Sequence, residues 1–211
     1  MRTDRRPLAE LARADDGVAL IEFAFVAPIL LLLIVSALEL ANFGLAHLRV
    51  SQIAMTVADN AGREAIGIDE ANVYEVFAGA EVIGDPIDFE AKGRVILSSL
   101  EHNNRNGSDA GQFVRWQRCF GDLQAAPSYA VEGDGQFDGS LADGLGAGSH
   151  RIASQRGTAV MFVEAVYDYT PLIASDLVAP SQIRYESAFN VRGRENQVIT
   201  NANNLTVMRC N

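Results

Sequence analysis

Positive charge is scarce in this chain, and the scarcity closes several routes at once. Lys and Arg total 17 against 27 Asp and Glu, for a formal net charge of −10. No basic stripe is present to neutralise phosphates, so nucleic acid is not an expected partner. The acidity fits a solvated surface. Histidine and cysteine are sparse too, at 3 and 2 residues. His47, His102 and His150 are scattered as ordinary surface residues would be, and no HExxH, GxSxG or P-loop pattern occurs. Neither an enzyme nor a cofactor site is therefore expected. Cys119 and Cys210 belong to no CxxC and have no His at ligand spacing, which excludes the common zinc patterns. The two thiols either stay free or, in an oxidising compartment, pair and close a loop of about 90 residues.

What the chain does have is one long apolar run. Between Glu22 and Glu39 lie 16 uncharged residues whose one polar member is Ser36. Continued to Ala46, the run makes about 36 Å of helix, enough to cross a hydrocarbon core of roughly 30 Å. Arg2, Arg5, Arg6 and Arg13 precede it, and the next arginines are Arg49 and Arg63. This bias places the N-terminus in the cytoplasm and the remainder outside. The chain is long enough for one membrane segment and one globular domain with a real core. The expected organisation is a cytoplasmic leader at 1–17, a membrane half-helix at 18–41, an amphipathic half at 42–66 and a head at 67–211.

Glu22 needs a reason, because a carboxylate at the edge of a bilayer is expensive unless paired. A secretory signal would offer Val35-Ser36-Ala37 for cleavage, but Glu22 and Pro28 speak against it. An uncleaved anchor has no use for the acid. The residues Gly17-Val18-Ala19-Leu20-Ile21-Glu22-Phe23 resemble the prepilin processing motif of the type IV pilin superfamily. There a membrane peptidase cuts after the glycine and leaves glutamate as fifth residue of the mature chain. With Pro28, the Leu30–Leu33 run and Glu39-Leu40 following in order, the stretch resembles more narrowly the TadE-like pseudopilins of tight-adherence (Flp-type) pili. The later stretch Val166-Tyr167-Asp168-Tyr169-Thr170-Pro171-Leu172 is similar to a strand-end signature of the same family.

The resemblance implies cleavage between Gly17 and Val18, leaving a new α-amino group on Val18 with a pKa of about 8. It implies that Glu22 accepts such an amine from a neighbouring subunit, with Phe23, Pro28 and the aliphatic face of 23–38 packing against other subunits. The partners it implies are membrane lipid, a prepilin peptidase, other pilin subunits and inner-membrane pilus assembly proteins. The location it implies is a single pass through the inner membrane with a periplasmic head. Glu39 lies about 26 Å and roughly 100° around the helix from Glu22, so one partner cannot serve both. It is either a solvated interfacial carboxylate or a second subunit contact. The competing reading is a permanently anchored binding module that enters no filament.

Beyond the run, Phe43, Ala46, Val50, Ile53, Val57 and Ala61 recur at helical spacing, with Asn42, Gln52, Asp59, Asn60 and Arg63 tending to the other side. A helix over 18–66 would be roughly 73 Å long. A second helix is expected from Glu70 to Ile83, capped by Asp69 and stopped by Gly84-Asp85-Pro86. Residues 94–100 and 112–120 read as a hairpin around Asn106-Gly107, with Trp116 in the core. The glycine-rich stretch 121–157 reads as a mobile loop or a surface for partner contact. Within it, 134–140 superficially matches a calcium loop, but Leu145 stands where a bidentate glutamate is needed. Strands are expected at 159–169 and 182–192, the latter with one wet face, a short helical turn at 172–178, and a last strand at 205–210. The expected fold class is α+β, with an antiparallel sheet of four or five strands packed on the amphipathic half of the long helix.

Overall fold

The computed structural model of the chain describes residues 16–64, 67–173, 181–193 and 196–210. The leader arginines, and most of the turn expected at 172–178, lie outside the described residues. The chain is α+β and divides into two units, one ending at Asn42 and one beginning at Phe43. Helix α1 runs Asp16–Arg63. In the first unit it is apolar on every side and buried nowhere: Leu20, Phe25, Ile29, Leu33 and Leu40 are all more than half exposed. Pro28 sits inside the helix, where its missing N–H leaves the carbonyl of Ala24 without the usual partner one turn on.

In the second unit α1 becomes one-sided. Ala46, Val50, Ile53, Ala54, Val57, Ala58 and Ala61 are buried, while Gln52 and Asn60 are exposed. A two-residue strand β1 (Ile68–Asp69) leads into α2 (Glu70–Gly84). The expected Asp69 cap is a capping box: Asp69 accepts from Ala71 N at 3.0 Å, and Asn72 Oδ1 accepts from Asp69 N at 2.9 Å. Val73, Val76, Phe77 and Ala80 form its buried stripe. A 3₁₀ turn (Asp85–Ile87) and the short helix α3 (Phe89–Lys92) follow. The Phe89 ring fills the space that two glycines leave. A Cβ on Gly84 would stand 2.5 Å from Phe89 Cβ, and one on Gly93 would stand 2.6 Å from its ring.

The sheet has strands β2 (Gly93–His102), β3 (Gln112–Phe120), β4 (Ala159–Tyr169) and β5 (Ser181–Asn190). Their order is β3-β2-β4-β5 and every pair is antiparallel. On one face Val95, Leu97, Met161, Val163 and Ala165 join the core with α1 and α2. On the other, Leu100, Val114, Val160 and Phe162 make a second core with Ala130, Leu141 and Leu145. Burial on both faces explains why β4 reads as a nearly continuous apolar run, whereas β2, buried as fully, also carries Arg94, Ser98, Ser99 and Glu101. The pairing of β2 with β3 slips between Ser99 and Leu100, leaving Arg115 as the extra residue. That bulge turns Trp116 to the first core and Val114 to the second. Trp116 is 1% exposed and donates from Nε1 to Gln197 O at 3.1 Å.

Two expectations need correction. The glycine-rich stretch is not a free loop, because it covers the second sheet face and seals the outer edge of β3. Gln112 N donates to Leu141 O at 3.1 Å, Val114 N to Asp134 O at 3.1 Å, and Gly133 N to Val114 O at 2.8 Å. Its glycines serve close approach. A Cβ on Gly135 would lie 2.1 Å from Gln112 O, and one on Gly144 2.1 Å from Ile152 O, both at positive φ. The last strand is also displaced. It is β6 (Ile199–Thr200), pairing in parallel with β1, whereas 205–210 forms no strand. The tail is fixed to β3 by one backbone bond, Cys119 N to Met208 O at 2.8 Å, and by the Cys119–Cys210 disulfide.

Closing a loop across a sequence separation of 91 removes unfolded-state entropy equivalent to at most about 4–5 kcal/mol. Replacing Cys210 by Ser should therefore lower the unfolding free energy of the head by about 2–4 kcal/mol. Urea titration of the full chain in detergent, followed through the fluorescence of Trp116, reads this directly. An unchanged midpoint would mean that the bridge does not hold the tail.

Candidate functional site

Every residue of the candidate processing and contact segment lies on α1. Gly17 has nothing within 4 Å of the place a Cβ would occupy. Val18 is 52% and Phe23 68% exposed. Glu22 is exposed and forms no hydrogen bond or ion pair among the described residues. Val18 and Glu22 are four residues apart and so lie on one helix face. Pro28 falls within the apolar stretch, and Glu39 is half-buried near the end of the first unit. What the arrangement offers is a surface: an all-round apolar helix with one unpaired acid near its start. Among the described residues no group of three His, Cys, Asp or Glu side chains could hold a metal ion.

The 166–172 stretch has a packing role in the second unit. Tyr167 stacks on Phe89 with ring centres 6.0 Å apart and donates its hydroxyl to Ile87 O at 2.7 Å. Tyr169 meets Phe43 edge-on at 5.1 Å, and Pro171 is buried. His47 is not an ordinary surface residue. It lies half-buried between Phe43, at 4.4 Å between ring centres, and Tyr185, whose hydroxyl is 3.2 Å from Nδ1.

A polar centre that sequence reasoning missed sits beside the disulfide. Arg118 and Glu70, with side chains 5% and 3% exposed, pair through Nε and Nη2 at distances from 2.6 to 3.1 Å. Arg118 Nη1 donates to Glu132 at 3.0 Å and to Gln117 O at 2.7 Å. Glu132 in turn faces Arg209 at 3.8 Å, one residue from Cys210. The cluster ties the start of α2, strand β3, the glycine-rich stretch and the tail at one point. The partners lie 48 residues apart, so no local pattern announces them. On the opposite sheet face Glu164 is buried and accepts from Ser128 N at 3.0 Å. Burial pushes its pKa above the usual carboxylate range, and the Ser128 hydrogen bonds oppose this only in part. Nearby, Tyr129 donates to Glu186. Burial and that carboxylate raise its pKa to about 12.

Compared with known proteins, residues 17–65 match the family model of TadE-like proteins. The matched stretch takes in Gly17, Glu22, Pro28, Glu39 and the whole of α1 beyond its first residue, and it stops before the sheet. No curated protein and no solved structure matches the chain.

Two outcomes follow from the polar groups. Glu70→Gln leaves Arg118 buried with only the half-exposed Glu132 opposite, and should destabilise the head by about 3 kcal/mol. The double change Glu70→Met with Arg118→Met should recover much of that loss in the same urea assay, and equal losses would contradict a coupled pair. For Glu164, the folded state keeps its proton to higher pH than the unfolded chain does. Its contribution to stability is therefore largest below the ordinary glutamate pKa and declines as pH rises from there through the raised value. Glu164→Gln should flatten that decline, and a profile unchanged by the substitution would show the group to be unperturbed.

Proposed function

We propose that this chain is a minor pilin or pseudopilin of a tight-adherence type IV pilus, cut after Gly17 by a prepilin peptidase before it enters or primes the assembly. The observation that carries the reading is the coincidence of the TadE-like match at 17–65 with an exposed acid, Glu22, five residues past Gly17 and directly before the uncharged run 23–38. A carboxylate beside lipid calls for a cation, and removal of the leader creates one on Val18. The two groups are one helical turn apart, so a protomer shifted along the filament axis brings its amine to the Glu22 of its neighbour. Phe23, Pro28 and the surrounding aliphatic side chains provide the packing surface, and Glu39 a second contact further along.

Residues 18–41 sit in the inner membrane with the N-terminus in the cytoplasm and the head in the periplasm. The helix is long and apolar enough to cross a bilayer, and a disulfide in the head suits an oxidising compartment. The role is structural, with contacts to lipid, peptidase, other pilins and inner-membrane assembly proteins.

Replacing Glu22 by Ala separates this reading from a permanently anchored module. The variant should insert, fold its head with an unchanged Trp116 signal and accumulate in the membrane, yet be absent from sheared pili or their assembly intermediates. Pili containing the variant at wild-type levels would rule out the role given to Glu22.

A further inference from the structure

One end of the head is apolar on its surface, and contacts along α1 show which end it is. The first residue of β4, Ala159, accepts from Val191 N at 2.9 Å, and the adjacent Arg192 N donates to Gly62 O at 3.0 Å. The last residue of β4, Tyr169, meets Phe43 with ring centres 5.1 Å apart. About 28 Å of helix separates Gly62 from Phe43, and the strand covers about 33 Å. Strand β4 therefore runs along α1 in the opposite direction. Strand β5 starts beside its end, with Ser181 paired to Tyr169. The β4–β5 turn thus leaves the head at the Phe43 end, and Phe43 follows the membrane half-helix 18–41 by two positions.

At this end large apolar side chains stand in the open. Pro171 is buried, but the next two residues, Leu172 and Ile173, are each more than half exposed. So are Leu45 and Leu48, within two turns of Phe43 on α1. Further along the helix Met55 is the last large apolar side chain left open, and the exposed residues beyond it are Asn60 and Arg63. Aromatic rings lie behind the apolar rim. Phe43 and His47 meet edge-on at 4.4 Å, and His47 meets Tyr185 at 5.9 Å. Amphipathic rings collect at the level of lipid headgroups. The first polar pair on the strands, Gln182 Nε2 donating to Asp168 Oδ1 at 2.8 Å, lies on the other side of Tyr169 from the turn.

We propose that the β4–β5 turn is a second membrane contact. Leu172 and Ile173 enter the boundary between headgroups and acyl chains of the periplasmic leaflet, and the aromatic rings lie at headgroup level. Lipid is the occupant because the apolar rim is continuous along α1 with a stretch long and apolar enough to cross a bilayer. A net charge of −10 gives no attraction to anionic headgroups, so the contact is an apolar one. One spanning helix leaves the head free to tilt, and a second contact fixes which side of it faces the bilayer. The inference rests on α1 spanning the membrane, as proposed above, and not on cleavage or filament assembly.

The test uses the full chain in nanodiscs of phosphatidylethanolamine and phosphatidylglycerol, with one nitroxide placed through Ile173→Cys, Val198→Cys or Leu33→Cys. Both native cysteines are bridged, so only the new thiol takes the label. Power-saturation EPR compares collisions with oxygen, which dissolves in lipid, and with a water-soluble nickel chelate. Val198 is half exposed beside β6, far from Phe43 along α1. The Ile173 label should meet nickel about fivefold less often than the Val198 label does, and oxygen more often. Leu172→Asp alters an exposed side chain, and it should return the Ile173 label to the Val198 behaviour while the Trp116 urea midpoint stays put. Equal nickel collisions at Ile173 and Val198 would overturn the proposal. So would shielding of Ile173 from both reagents, which marks a protein contact, or indifference to Leu172→Asp. The Leu33 label separates two failures. Lipid exposure there with water exposure at Ile173 strikes the turn alone, and water exposure at both strikes the membrane placement of α1 as well.

Discussion

One helix has to satisfy two solvents. For its first half α1 is largely exposed and, apart from Glu22 and Glu39, apolar on every face, and from Phe43 onward one face is buried while the other mixes Gln52, Asn60 and Arg63 with the exposed Leu45, Leu48 and Met55. A helix apolar on all sides is stable only where its side chains are kept out of water, in lipid or against other apolar surfaces. A one-sided helix is stable only against a partner surface that buries its stripe. The first condition calls for a bilayer or the helices of neighbouring subunits, and the second calls for the head. Small residues along the stripe, Ala46, Ala54, Ala58 and Ala61, keep the approach close, and Val50, Ile53 and Val57 fill the space between.

The head answers with a sheet buried on both sides. Helices α1 and α2 cover one face and the glycine-rich stretch covers the other, so the central strands β2 and β4 are buried at nearly every position and β4 is apolar along most of its length. A single bulge at Arg115 makes this possible in β3, since it sends Trp116 and Val114 to different cores. The outer edge of β3 would otherwise invite pairing with another chain. Backbone bonds to the glycine-rich stretch and the tail occupy it, and the buried Arg118–Glu70 pair and the disulfide hold those segments down.

The parts legible in the sequence are those with a local signature. The α1 stripe, the Asp69 cap, the hairpin strands and the long β4 run follow from spacing and residue type, and each lies where the spacing puts it. The glycine-rich stretch was opaque because flexibility and close backbone approach use the same residue. Only the carbonyl 2.1 Å from an imagined Cβ at Gly135 distinguishes them. The Glu70–Arg118 pair and the place of the tail depend on contacts between distant segments, which composition does not encode. For the candidate site, sequence alone names Gly17, Val18, Glu22, Phe23, Pro28 and Glu39. The structure adds that the four-residue step from Val18 to Glu22 is helical. A single chain contributes nothing about the cation, which on this account belongs to another copy.

The claim beneath this account is that the mature helix begins at Val18 with a charged amine. Intact mass and N-terminal sequencing of the protein from cells with and without the prepilin peptidase test it most directly. The account predicts a chain starting at Val18 in the first case and at Met1 in the second. A protein that starts at Met1 in both would contradict it and leave Glu22 without its cation.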